Sequence, residues 1–330
     1  MNFRTEITIP PLRSAIDYES RLLSIGSCFA DRIGQRMAEK KFSVVINPLG
    51  IIYNPVSLCR SLQMAVENES EPKFLFAPHL HSWHSFHLHS RFNHPEKEVF
   101  ETQVKQAFDT TGEQLRRASH LILTFGTAWV YREKSSGEIV ANCHKYPANQ
   151  FTKDLLSPAA VTDAFYQFLR VLLQVNPGIK ILLTVSPVRH TKEGLSLNAV
   201  SKATLRLVCH QLTQAFENIY YFPAYEIMTD DLRDYRFYGD DLIHPSQFAE
   251  SYIWEKFTQS ALSLQAKETL HTLEKIQREM AHRPMNSHSP EYRHFLEGLA
   301  SKLNLLHTTL DCTEEIRKIR TRLETLTDLP

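Results

Sequence analysis

Short apolar runs alternate along the first 260 residues with stretches in which apolar positions recur at helical spacing. Runs at residues 22–25, 44–46, 121–125, 181–185 and about 219–222 carry little polar alternation, the pattern of strands covered on both faces. After the first run, Phe29, Ile33 and Met37 recur every four residues, which is one face of a helix. Strands that alternate with helices predict a doubly wound α/β fold with a parallel sheet of five strands and right-handed crossovers.

Two connections are long. Residues 51–120 predict a helix at 55–67, an extended histidine-rich piece, and a second helix at about 96–118. Residues 129–150 predict a β-hairpin, with WVYREK and EIVANC flanking a turn at Ser135, Ser136 and Gly137. Insertions at about 68–95 and 129–150 are expected to shape a substrate site. Beyond Ser246 the pattern is helical. Residues 262–285 and 290–326 predict a helical hairpin, broken around residues 282–286. The expected division is an α/β domain over 1–260 and a helical extension over 261–330, with faces available for homo-oligomer contacts.

Composition narrows the function classes. Lysine plus arginine and aspartate plus glutamate balance at 37 each, which gives no electrostatic case for a nucleic-acid or anionic-membrane partner. No window has the apolar length of a membrane span, and the first twenty residues hold no apolar core of a secretory leader. The five cysteines are scattered, odd in number and free of CxxC spacing, so free thiols in a reducing, cytoplasmic setting are expected.

The chemistry-bearing residues gather at two places. In SIGSCFADRIGQRM a strand passes through Gly26 and Ser27 into a helix. Ser27 there presents a hydroxyl at a strand's C-terminal end and a backbone N–H at a helix N-terminus, which suits an acyl-transfer nucleophile. The same position equally suits a helix cap. Cys28 is intrinsically the stronger nucleophile but sits one residue along, pointing elsewhere, and ranks second. In FYGDDLIHPSQF, Asp241 and His244 are three apart, so a carboxylate can orient an imidazole acting as base; Asp240 is the alternative orienter. Ligands of a parallel sheet bind beyond the C-terminal ends of its strands. Ser27 follows the first strand and the Asp241–His244 pair follows the last, so both fall on that edge.

The run Gly26-Ser27-Cys28-Phe29-Ala30 resembles the signature of the GSCFA family, a bacterial branch of the SGNH hydrolases. Further segments resemble it in order: Asn47-Pro48-Leu49-Gly50, Ile52-Tyr53-Asn54-Pro55, Thr124-Phe125-Gly126-Thr127, Asn142-Cys143-His144-Lys145, Ser186-Pro187-Val188-Arg189-His190 and Asp241-Leu242-Ile243-His244. The resemblance covers about residues 1–260 and leaves the helical tail outside. It implies a flavodoxin-like, three-layer fold of SGNH hydrolase type, with Ser27 as nucleophile, Asp241 and His244 completing the triad, and an oxyanion hole from Ser27 and Gly50. Ala128 stands where such enzymes carry an oxyanion asparagine. Losing one such donor costs on the order of 10²–10³ in rate. Asn142 is the candidate replacement, with Thr127 and Asn54 behind it; its alternative is an ordinary turn residue.

Six histidines lie between His79 and His94, with no cysteine or carboxylate among them, so a zinc site there has only weak support. His84, Thr127, His144 and Lys145 are the candidate substrate contacts. Ser186 and His190 also follow a strand. Together these features predict a cofactor-free, metal-free serine esterase or deacetylase acting on a small O-acyl ester of a polar alcohol such as a sugar. An O-acyltransferase, or a binding module that keeps the fold, are the alternatives.

Overall fold

The computed structural model describes residues 5–69, 74–282 and 289–326. Strands β1 (Arg21–Gly26), β2 (Ser43–Ile46), β3 (His120–Phe125), β4 (Lys180–Val185) and β5 (Ile219–Phe222) form an all-parallel sheet in the order β5-β4-β3-β1-β2. All five coincide with the apolar runs to within two residues. Register pairs such as Leu23 with Leu121, and Leu123 with Leu183, line up side chains of one face across neighbouring strands.

Period-two alternation distributes these residues between two apolar layers. Leu23, Ile25, Leu121, Leu123, Phe125, Ile181 and Leu183 point to one layer. It is closed by helices α2 (Pro55–Glu67), α3 (Lys97–Arg117), α4 (Pro158–Val175) and α5 (Leu195–Ala215). Leu22, Ile122, Leu182 and Phe222 point to the other, under α1 (Cys28–Glu39) and α6 (Gln247–Ala261). Both faces are dry, which explains why the strands read as continuous apolar runs.

The insertion after β3 contains the expected hairpin, Trp129–Glu133 paired with Ile139–Val140, and Gly137 takes the left-handed turn conformation at φ 71°. A third strand, Phe151–Leu155, adds to it antiparallel. The sequence pattern did not predict that strand, because its burial does not alternate. The histidine-rich insertion holds a two-stranded piece, Leu75–Ala77 with Ser82–His84.

Helix α7 (Leu264–Ala281) packs its first turns on the sheet side through Ala266 and Leu270. Leu273 and Ile276, further along, join a separate cluster with α8 (Pro290–His307) and α9 (Thr313–Thr325) through Leu296, Leu299, Leu303 and Ile319. The predicted break around 282–286 lies, except for His282, outside the described residues. Among the described residues no helix is long and apolar enough to cross a membrane.

Candidate active site

The turn from β1 into α1 is built by glycine. Gly26 has φ 133°, and a Cβ there would sit 2.2 Å from the Thr124 carbonyl oxygen, so no other residue fits without moving β3. Ser27 follows in extended conformation and caps α1: its Oγ accepts from the Phe29 N–H at 3.3 Å, and the residue is fully buried. Cys28, the first helical residue, is partly exposed. Asn47, at the end of β2, fixes the turn from below, accepting from Gly26 N–H at 2.7 Å and donating to Asp31 at 2.6 Å.

On the far side, residues 239–246 form a closed loop. Gly239 N–H donates to the His244 carbonyl at 2.8 Å, and Leu242 sits left-handed at φ 57°. Asp241 Oδ1 accepts the amide N–H groups of Ile243 and His244, leaving Oδ2 for His244 Nδ1 at 2.6 Å. Those amides and that imidazole hold the Asp241 carboxyl down at about 2. Arg189 N–H donates to the Ile243 carbonyl, and the Arg189 guanidinium stacks 3.8 Å from the Tyr238 ring centre, which ties this loop to the one after β4.

The second imidazole nitrogen, Nε2, lies 3.9 Å from Cys28 Sγ. This corrects the expected pairing. Among the described residues the Ser27 hydroxyl makes no hydrogen bond to His244, because it is turned into the helix cap, and the neighbouring thiol occupies the position facing the imidazole. Burial pushes the Cys28 thiol up, Asp31 adds to this, and Lys202 with the amides of Cys28 and Phe29 pulls it down.

The expected oxyanion donors are corrected as well. Ser27 N–H is spent on the Thr124 carbonyl at 3.0 Å, which extends the β1–β3 ladder. Gly50 N–H closes a turn onto the Asn47 carbonyl at 2.8 Å; its glycine is required by φ 77° and by His89, against which a Cβ would clash. Asn142 is a local turn residue, its side chain accepting from the His144 N–H at 2.9 Å and its backbone N–H donating to the Phe86 carbonyl. Asn54 caps α2. The Cys28 N–H, first amide of α1, has no main-chain acceptor among the described residues. Ala128 is buried with its N–H on Ser201 Oγ at 2.8 Å.

Of the expected substrate contacts, Thr127 lines a cleft of about 340 Å³ that runs between the Tyr53 and His190 rings and the hairpin after β3. The others lie elsewhere. His84 is fully buried against the rings of His144, Phe86 and Tyr146. His144 is buried too, its Nε2 on the Ser85 carbonyl at 2.8 Å and its Nδ1 facing Asn93. Lys145 is exposed and does not line the cleft. Among the described residues no group of three metal-ligating side chains comes together, in the histidine-rich insertion or elsewhere.

Residues 21–257 match the GSCFA family. The chain belongs to the GSCFA family, within the SGNH-like grouping. The helical tail, placed outside the resemblance by sequence alone, is also recognised: residues 273–325 match the GSCFA domain protein, C-terminal domain. No curated protein matches the chain.

Several residues of this GSCFA site had not been singled out from sequence. Helix α5 turns Asn198, Ser201 and Lys202 toward the sheet edge, all buried. Lys202 Nζ donates to the carbonyls of Gly126 and Ser186, both at 2.7 Å, and so clamps the ends of β3 and β4. It has no carboxylate partner among the described residues, and burial brings its ammonium down to about 7. Asn198 accepts the His190 N–H at 2.9 Å, and the His190 ring sits edge-on to Tyr53. Their legible signal is the apolar stripe Leu205, Val208, Cys209 and Leu212, whose continuation toward the N-terminus turns polar at 202, 201 and 198.

Proposed function

We propose that this GSCFA protein is an acyl-transfer enzyme whose nucleophile is Cys28, with His244 as base and Asp241 as its orienter. The observation that carries the reading is the line from Asp241 Oδ2 to His244 Nδ1, at 2.6 Å, and on from Nε2 to Cys28 Sγ, at 3.9 Å. Apo distances of this kind run long and shorten when substrate is bound.

In this scheme the Cys28 thiol gives its proton to His244 Nε2, and the sulfur attacks the acyl carbonyl of an ester. The oxyanion falls toward the Cys28 amide at the N-terminus of α1, where the helix dipole favours negative charge. The alcohol leaves with the proton from His244, and Cys28 keeps the acyl group as a thioester. Water deprotonated by His244 releases the acid; a second alcohol in its place makes the same site a transferase. Asp241, ionised down to about pH 2, holds the tautomer with the proton on Nδ1 and steadies the imidazolium. Free thiols, with no disulfide among the described residues, fit a reducing cytoplasmic setting.

The occupied amides of Ser27 and Gly50 favour a second reading, a binding module with reduced chemistry. Turnover of p-nitrophenyl acetate by Cys28→Ala and Ser27→Ala separates the readings. The proposal expects Cys28→Ala to fall to the uncatalysed rate and Ser27→Ala to keep measurable turnover with a lower melting temperature. Full turnover by Cys28→Ala rejects the thiol as nucleophile, and no turnover by the parent chain favours the binding module.

A further inference from the structure

The cleft lined by Tyr53, Thr127, Trp129 and His190 has an uneven charge lining; Cys28 does not line it, but lies within electrostatic reach of Tyr53. Its cations are Lys153, Arg189 and Lys192, and its carboxylate is Glu193. Glu193 is engaged by Lys153. Arg189 and Lys192 have no carboxylate partner among the described residues: Arg189 stacks on Tyr238, and Lys192 Nζ donates to the Tyr131 hydroxyl at 2.6 Å. Two ammonium groups thus stand about one ring, Lys153 and Lys192 each 5.0 Å from the centre of Tyr131. Burial alone would raise the Tyr131 phenol; the hydrogen bonds from Lys192 and Lys153 outweigh it and bring it below its ordinary value. Glu193 answers one of the three cations, so the lining keeps a net positive charge that favours an anion.

The walls add a second requirement. Trp129 and Tyr131 lie side by side on the hairpin, with Lys153 over both rings, and Tyr53 lines the cleft with them. Such faces take a cyclic or planar body.

We propose that this cleft is the binding site for a small anionic acyl donor, its carboxylate or phosphate held by Lys192 and Arg189 and its body laid on Trp129 and Tyr131. The word donor rests on the proposed role of Cys28; the anion site itself does not. Arg189 is placed to do double duty. Its backbone N–H donates to the Ile243 carbonyl and its guanidinium to the Leu242 carbonyl, both in the loop that carries His244. This deepens the expectation of a polar, sugar-like alcohol by adding a charge to the molecule that carries it.

The test is calorimetric titration of the full chain carrying Cys28→Ala, which leaves nothing to consume a ligand. The probes are inorganic phosphate, citrate and uncharged glucose. The expected result is one-to-one binding of phosphate or citrate, weakened at least tenfold by Lys192→Gln, with glucose binding no more tightly than to Lys192→Gln. Lys192 is exposed, so that variant keeps its fold, and an unchanged melting temperature verifies this. Phosphate binding alone identifies a phosphorylated donor, and citrate alone a carboxylated one. Absence of anion binding at millimolar concentration overturns the proposal, as does anion binding that Lys192→Gln and Arg189→Gln leave unchanged. Anion binding together with full turnover by Cys28→Ala would sink the thiol mechanism and leave the anion site standing.

Discussion

Two regions of this GSCFA protein present histidine, and they do opposite things with it. At the sheet edge His244 is exposed, bonded to a carboxylate through Nδ1, and faces a thiol through Nε2. In the histidine-rich insertion His84 is sealed among Phe86, His144 and Tyr146, and neither ring nitrogen forms a well-made hydrogen bond among the described residues. Burial and the neighbouring His144 bring the His84 imidazole down to about 4, so it is neutral and held as an apolar plate. A residue type with one intrinsic chemistry becomes an exposed, carboxylate-bonded ring or a packing element according to water access and partner. The six histidines of the insertion were the more conspicuous feature of the sequence, and the single one after Asp241 is the better placed for chemistry.

That contrast can be broken at several points. His244→Ala should cost on the order of 10²–10⁴ in turnover, the usual worth of a positioned acid–base group, with little change in melting temperature because the ring is half exposed. His84→Leu should leave turnover intact; a large loss there would erase the distinction between the regions. Next in size is Lys202→Met. It removes the buried amine whose charge pulls the Cys28 thiol down and should slow alkylation of Cys28 by iodoacetamide at neutral pH. The rate is read by peptide mass spectrometry, and an unchanged rate removes Lys202 from the site's electrostatics.

The smallest effect is on stability. His84→Leu exchanges an unsatisfied buried imidazole for an apolar side chain and should leave unfolding free energy at pH 7 unchanged or raised by about 1 kcal/mol, measured in urea. The sign with pH is fixed. The His84 imidazole binds its proton in the unfolded chain near 6.5 but in the folded one only near 4, so the unfolded state holds more protons in that window and stability falls as pH drops through it. His84→Leu should flatten this decline; an identical decline in both proteins would show that His84 is not buried neutral.

The fold was legible because its signals are redundant. Leu121, Ile122, Leu123 and Phe125 are all buried, so one apolar run reports two dry faces at once. The site was legible to its loops and to the Asp241–His244 pair, but not to the atom. Whether residue 27 or 28 faces His244 depends on where α1 begins. Ser27 stays extended to cap the helix, which turns its oxygen inward and leaves Cys28 facing His244. Both residue types are compatible with either place, so composition does not choose between them. The oxyanion assignments failed for a related reason. A glycine at position 50 marks a left-handed turn in sequence, and only coordinates show that its N–H is consumed by Asn47. The third strand of the hairpin sheet lacked period-two burial, and so gave no pattern to read.

The central claim, that sulfur and not oxygen takes the acyl group, is tested most directly by locating the covalent adduct. After a brief reaction with p-nitrophenyl acetate and acid quenching, peptide mass spectrometry should place the acetyl group on Cys28, released by neutral hydroxylamine as a thioester is. An acetyl group on Ser27 that resists neutral hydroxylamine would contradict the account.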